Sequence, residues 1–238
     1  MVRGVVLATA AVAALGVAAP ATAQTINPMV YDLAPAGKDS SRELEFWNSQ
    51  NRPVAIEVLA SRRSYDPHGA AIDVPAPADF TVVPQQFIAA PGERKKVRLT
   101  YTGASALDRS ATYAVAFRQV PISTAEADPR VRVLFEFTSL AHVVPTGAKE
   151  DVTVAAQVTG STATLTFTNH GTRYARLDAA PLRIREAGID LSLDPAELRD
   201  THDLRWILPG ETRVATVPIG SSPLSLAAVV ASVAALER

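Results

Sequence analysis

The chain has no cysteine at all. That excludes structural disulfides, thiolate metal sites and a cysteine nucleophile. It also lacks charge of one sign: 23 Lys and Arg stand against 24 Asp and Glu, for a net charge of −1. A nucleic-acid binder would carry a basic excess, so nucleic acid is not the expected partner. There is no Gly-rich phosphate loop and no Gly-x-Ser-x-Gly nucleophile elbow. The four histidines, His68, His142, His170 and His202, fall singly and without metal-ligand spacing. The carboxylates Asp73, Asp79, Asp190, Asp194 and Asp203 are spread along the chain, and nothing selects a catalytic pair. No local sign of an enzyme is present, and neither metal nor cofactor is expected. Amphipathic helical patterns are equally scarce; Asp194 to Asp200 is the one stretch that reads as a short helix.

Long apolar runs are missing beyond the first two dozen residues. Those residues read as a secretory signal: basic Arg3, an apolar run of small residues from Val5 to Ala19, then the small-x-small site Ala21-Thr22-Ala23. The run is shorter than the ~20 residues a membrane span needs, and Pro20 interrupts it. Cleavage after Ala23 is expected, leaving residues 1–23 as a signal peptide. Ser222 to Leu236 comes closest to a second span but is a short Ala/Val stretch. The mature protein is therefore expected in the periplasm, without stable membrane insertion. A domain of ~100 residues can bury enough surface there without disulfides.

What the chain does have is 47% apolar residues arranged in short alternating runs. Glu43 to Trp47, Val97 to Tyr101 and Thr164 to Thr168 alternate polar with apolar side chains. Val131, Val133, Phe135 and Phe137 fall on one face of a further run. Period-two alternation marks half-buried strands. Proline and glycine punctuate the sequence, as at Pro91-Gly92 and Pro209-Gly210. Many short strands separated by turn signals point to β-sandwiches. A repeat points to two of them. Leu44-x-Phe46-x-Asn48 recurs as Leu165-x-Phe167-x-Asn169, and Pro91-Gly92-Glu93 recurs as Pro209-Gly210-Glu211, at nearly equal intervals. The expected architecture is all-β: two immunoglobulin-like sandwiches in tandem and set at an angle. They would occupy residues 24–145 and 150–238, divided near Pro145 to Glu150.

Two features bear on function. Arg62-Arg63 and Arg94-Lys95-Lys96 are basic clusters that suit a solvated strand edge, where charge discourages wrong pairing. The strand from Val131 to Phe137 admits two readings. Its four apolar residues face a closed core, or the strand lies at a sheet edge and offers a row of side chains to a partner strand.

Several fragments together resemble the periplasmic pilus (fimbrial) assembly chaperones, the PapD-like family. In the first half these are Leu44-x-Phe46-x-Asn48, Asp79 to Pro84, Pro91-Gly92-x-x-Lys95-x-Val97-Arg98-Leu99 and Tyr113 to Pro121. In the second half they are Leu165-x-Phe167-x-Asn169-x-Gly171 and Leu208 to Thr212. The resemblance implies that Val131, Val133, Phe135 and Phe137 are the alternating residues of the donor strand, termed G1. Such a strand completes a pilus or fimbrial subunit that lacks one of its own, and the chaperone delivers it to an outer-membrane usher. The usual cationic anchor for the subunit's terminal carboxylate departs from the family pattern. Pro28 stands where an Arg is usual, and His142 where a Lys is usual. The acidic residue that normally precedes the Tyr is also absent at Ala111-Thr112. This looks like a divergent branch, such as the chaperones of spore-coat-U-like subunits. Arg98, Arg118 and His142 are then the candidate anchors. The competing readings are a tandem immunoglobulin-like structural or adhesive protein of the cell surface and a hydrolase on a sandwich scaffold. A fimbrial subunit would carry an apolar N-terminal extension, for which Gln24 to Pro28 is too short and too polar.

Overall fold

The computed structural model describes residues 24–121, 134–186, 189–201, 204–218 and 229–232. The first sandwich has two sheets. One runs β1 (Thr25–Asn27), β3 (Ser41–Trp47), β8 (Arg94–Tyr101), β6 (Phe80–Val83). The other runs β2 (Val30–Leu33), β10 (Glu136–Val143), β9 (Ala111–Val120), β4 (Val54–Tyr65), β5 (Ala71–Pro75), with β7 (Gln86–Ala89) also on β4. Alternation decides which side chains meet between the sheets. Leu44, Phe46, Val97 and Leu99 of one face Ile56, Val58, Val115 and Phe117 of the other, all buried. Phe46 stacks on Phe117 with ring centroids 6.1 Å apart.

The second sandwich is centred on β17 (Thr212–Pro218), β12 (Thr162–Asn169), β11 (Val152–Thr159) and β18 (Val229–Ser232). Two short pairs cover it: β13 (Ala175–Arg176) with β16 (Trp206–Ile207), and β14 (Leu182–Glu186) with β15 (Ile189–Leu193). Its own core gathers Val154, Leu165, Phe167, Ile184, Leu193, Leu198 and Ile207. The expected short helix is a single turn, Glu197–Thr201, started by the Glu197 amide donating to Asp194 Oδ1 at 2.9 Å.

The repeat has a physical cause. At the end of β3, Asn48 Nδ2 donates to the carbonyls of Arg52, Ala89 and Ala90 at 2.9 to 3.0 Å, and its Oδ1 accepts from the Gln50 amide. The Gly92 amide donates to the Asn48 carbonyl, and the Asn48 amide to the Glu93 carbonyl. At the end of β12, Asn169 does the same with Arg173, Ile207 and Gly171. Gly210 and Glu211 repeat the two backbone bonds. Each Leu-x-Phe-x-Asn strand is thus clipped by its Asn to a Pro-Gly-Glu turn on a neighbouring strand. Gly92 at φ +73° and Gly210 at φ +81° supply the left-handed residue the turn requires.

Replacing Asn169 with Ala strands two carbonyls and an amide, and should lower stability by about 3 kcal/mol. A Cβ at Gly92 meets no atom within 4 Å. Gly92→Ala therefore tests backbone strain alone and should cost only about 1 kcal/mol. Urea unfolding of both variants measures the contrast.

Candidate protein-binding edge and interdomain cleft

Strand β10 has β9 on one side along its whole length, from Glu136 opposite Arg118 to Val143 opposite Ala111. On its other side β2 runs parallel to it but pairs only Leu140 to Val143. The first bond of that ladder is the Leu140 amide to the Met29 carbonyl at 2.8 Å. Upstream of Leu140, no described strand covers this edge. The Gln119 amide donates to the Phe135 carbonyl at 2.9 Å, so odd-numbered residues of β10 turn their backbone groups toward β9. Glu136 and Thr138 therefore turn theirs to the open edge.

The side chains follow the complementary rule. Ser139, Ala141 and Val143 point into the first core and are buried. Phe137, on the same face, is half-buried and packs against that core. Phe135 is 44% exposed, and its ring centroid lies 6.3 Å from that of Phe137. Leu134 beside it is 47% exposed. Met29 and Val30, where β2 begins, are exposed as well. The face that fills the core thus continues past the end of the core into solvent. Val131 and Val133, the other two residues of the expected donor strand, lie outside the described residues.

The three expected cations lie apart from one another. Arg98 is exposed on β8, in the other sheet, in register with Glu43 and Val83. Arg118 Nε donates to Glu136 Oε2 at 2.9 Å on the outer face of β9 and β10, away from the cleft between the domains. His142 is in the right place but in the wrong state. Its residue is fully buried, its ring stacks on Tyr174 at 3.8 Å, and Trp206 lies 5.0 Å away. Thr112 Oγ1 is 2.8 Å from Nδ1, and Nε2 has no partner. Burial holds the imidazole neutral, with its pKa lowered to about 4. An uncharged ring under two aromatic side chains offers a carboxylate no positive charge.

The charge in the cleft comes from the second domain. Val30, Tyr31 and Asp32 of β2 form one wall; Arg173, Tyr174, Arg176, Arg205 and Trp206 form the other. Arg173 is bound to Asp32 at 2.6 Å, and the Tyr174 hydroxyl also donates to Asp32, at 2.7 Å. Arg176 and Arg205 share Asp178, whose side chain is wholly buried, at 2.7 and 3.4 Å, with Arg199, itself paired to Asp200, at 4.0 Å. Two guanidinium groups on one carboxylate leave net positive charge on this wall, and each keeps further N–H donors for an anion. The sequence signal was present but faint: Arg173-Tyr174-x-Arg176 and Arg205-Trp206 each set Arg beside an aromatic ring. Among the described residues no group of His, Asp and Glu could hold a metal ion, and no helix is long and apolar enough to cross a membrane.

No family model and no curated protein matches the sequence. Solved structures do match the fold. The class 5 fimbriae chaperone CfaA superposes with a TM-score of 0.56 at 14% identity, over 90% of this chain and 100% of its own. The E. coli chaperone DraB gives 0.55 at 17% identity, over 84% and 86%. The CsuC–CsuE chaperone-tip adhesion subunit pre-assembly complex from Acinetobacter baumannii gives 0.55 at 11% identity, over 81% and 89%. The chain therefore has the two-domain immunoglobulin-like architecture of the fimbrial chaperones.

Backbone amides report the open edge directly. Those of Glu136 and Thr138 should exchange with solvent deuterium at least tenfold faster than those of Phe137 and Ser139, as read by NMR. Equal protection of all four would mean that the edge is covered.

Proposed function

We propose that this protein is a periplasmic chaperone that captures pilus or fimbrial subunits, or spore-coat-U-like ones, by strand addition and passes them to an outer-membrane usher. The observation that carries the proposal is the edge of β10 that no described strand covers, with Phe135 exposed beside it. An unprotected edge with an apolar row is a hazard that exported proteins normally suppress, so its retention calls for a use. Strand addition is that use: backbone bonds from Glu136 and Thr138 supply affinity, and Phe135 with its neighbours fills the groove of an incomplete sandwich. The fold shared with solved fimbrial chaperones supports the same reading, as does the secretory signal expected at residues 1–23.

The direction of the added strand is read from β2, which already runs on that edge. It would lie in line ahead of β2, against the same edge of β10. Running parallel to β10, as β2 does, it ends beside Met29 and Val30 at the mouth of the cleft. Its terminal carboxylate then meets Arg176 and Arg205, which take the role first expected of Arg98, Arg118 and His142.

Phe135→Asp should abolish co-purification of a co-expressed subunit while leaving the melting temperature within about 2 °C, because the side chain is already exposed. Arg176→Ala combined with Arg205→Ala should cut capture at least tenfold, and Arg98→Ala should leave it unchanged. Undiminished capture by Phe135→Asp would refute strand addition. A loss with Arg98→Ala equal to that of the Arg176/Arg205 pair would refute the assignment of the anchor.

A further inference from the structure

His142 lies on the outer face of β10, the face opposite the core. Such a position is normally wet. It is dry here because the second domain covers it: Tyr174 stacks on the imidazole with the planes 18° apart, and Trp206 closes the side at 5.0 Å. Tyr174 and Trp206 also pack on each other, centroids 5.5 Å apart. On the first-domain side Thr112 is the one hydrogen-bond partner of the ring among the described residues. A neutral imidazole satisfies this site if Nδ1–H donates to Thr112 and Nε2 stays bare against the rings. A protonated one adds an N–H at Nε2 with nothing to accept it.

The surroundings offer an extra positive charge little relief. Asp32 of β2 is the nearest carboxylate, and it is already bound by Arg173 and the Tyr174 hydroxyl. Arg173 brings a positive charge of its own, with Glu150 behind it at 3.9 Å. Arg176 stands over the far side of Trp206 at 5.7 Å, already on Asp178. One strand beyond Thr112, Arg63 is paired with Asp73. The two rings could stabilise an imidazolium through cation–π attraction, a smaller effect than removing the ion from water.

The hairpin end of the interface has a different character. The Tyr65 amide donates to Glu211 Oε1 at 2.9 Å, and the Val214 amide donates to the Pro67 carbonyl at 2.7 Å. These bonds join the tip of the β4–β5 hairpin to β17, where Glu211 and His68, next to Pro67, are the titratable groups. Nearer the stack, the Ser110 amide donates to the Thr172 carbonyl at 2.7 Å and the Tyr174 amide donates to Ser110 Oγ at 2.8 Å, and neither bond titrates. The hairpin and Ser110 contacts can act as the pivot about which the ring of His142 parts from Tyr174 and Trp206.

We propose that the stack of His142 on Tyr174 and Trp206 is an acid-sensitive latch that holds the cleft side of the two domains together and lets go when the imidazole takes up a proton. The sign follows from the geometry. Closed, the imidazole has its pKa lowered from 6.5 to about 4; open and hydrated, it regains the ordinary value. The latch is therefore fully engaged above pH 6.5 and is lost progressively as the pH falls from 6.5 to 4. Across the whole titration the ratio of closed to open falls by up to about 300-fold. The consequence for subunit capture rests on the function proposed above, because opening separates Val30 and Asp32 from Arg176 and Arg205. The latch itself needs no subunit.

The test is the emission of Trp206 between pH 7.5 and 4.5 in a Trp47→Phe background, with far-UV circular dichroism recorded alongside. Trp206 is only 8% exposed, so opening should shift its emission to the red while the circular dichroism stays constant. His142→Phe keeps an apolar ring in the stack and cannot titrate; in it the shift should vanish. If that variant does not fold, His142→Leu serves the same purpose. Tyr174→Ala should give the red-shifted emission already at pH 7.5. A wild-type emission that is constant to pH 4.5 would overturn the latch, and so would the same transition in the non-titrating variant. The second result would assign the transition to Asp32, Glu150 or another carboxylate. Failure of the subunit-capture experiments would leave the fluorescence result standing.

Discussion

Strand β2 reaches β10 only at Leu140, and most of what distinguishes this molecule follows from that short overlap. A longer β2 would close the sheet edge and give an ordinary sandwich. As built, the chain passes from the first sheet at Asn27 to the second at Val30, and leaves Glu136 and Thr138 with backbone groups facing outward. The same register puts Phe135 past the end of the core. Edge and apolar row coincide because both are set by one strand, whose odd residues face inward and whose even residues turn to the edge. The combination is unfavourable for a free protein and favourable for one that binds an incomplete partner.

Much of this architecture could be read from the residues. The alternating runs became β3, β8 and β12, and the repeated Leu-x-Phe-x-Asn segments became equivalent strands of two sandwiches. The repeat was visible because the Asn clip demands several specific residues at once: an amide side chain, a glycine with positive φ and a following Glu. Alternation also placed Phe135 and Phe137 on one face of their strand. It could not show that one would be exposed and the other half-buried, since that depends on where the opposite sheet ends.

The cleft was legible only in outline. The expected cations Arg98, Arg118 and His142 lie apart, and the cations that line the cleft come from the second domain. Spacing along the chain puts His142 on the outer face of β10, but gives no sign that Tyr174 and Trp206 of the second domain cover it. Nor do Arg176 and Arg205 look like partners in sequence. The pairing of β13 with β16 and the buried carboxylate of Asp178 bring them together. Long-range convergence of this kind leaves no periodic trace, whereas Arg98 and Arg118 stand out locally on alternating strands. Both sit on surfaces that the cleft does not reach.

The central claim is that a partner's strand occupies the open edge of β10, parallel to it. The absence of cysteine makes a direct measurement simple, because any introduced thiol is unique. With Thr138→Cys in this chain and single cysteines walked along the last strand of a co-expressed subunit, neighbouring strands come close enough for a disulfide at matched positions. The account predicts bridging at alternate subunit positions. Moving the thiol to Glu136→Cys should shift the best subunit position two residues toward the subunit's N-terminus. A shift toward its C-terminus would mean an antiparallel strand, and no bridging at any position in a subunit that still co-purifies would mean that β10 is not where the partner binds.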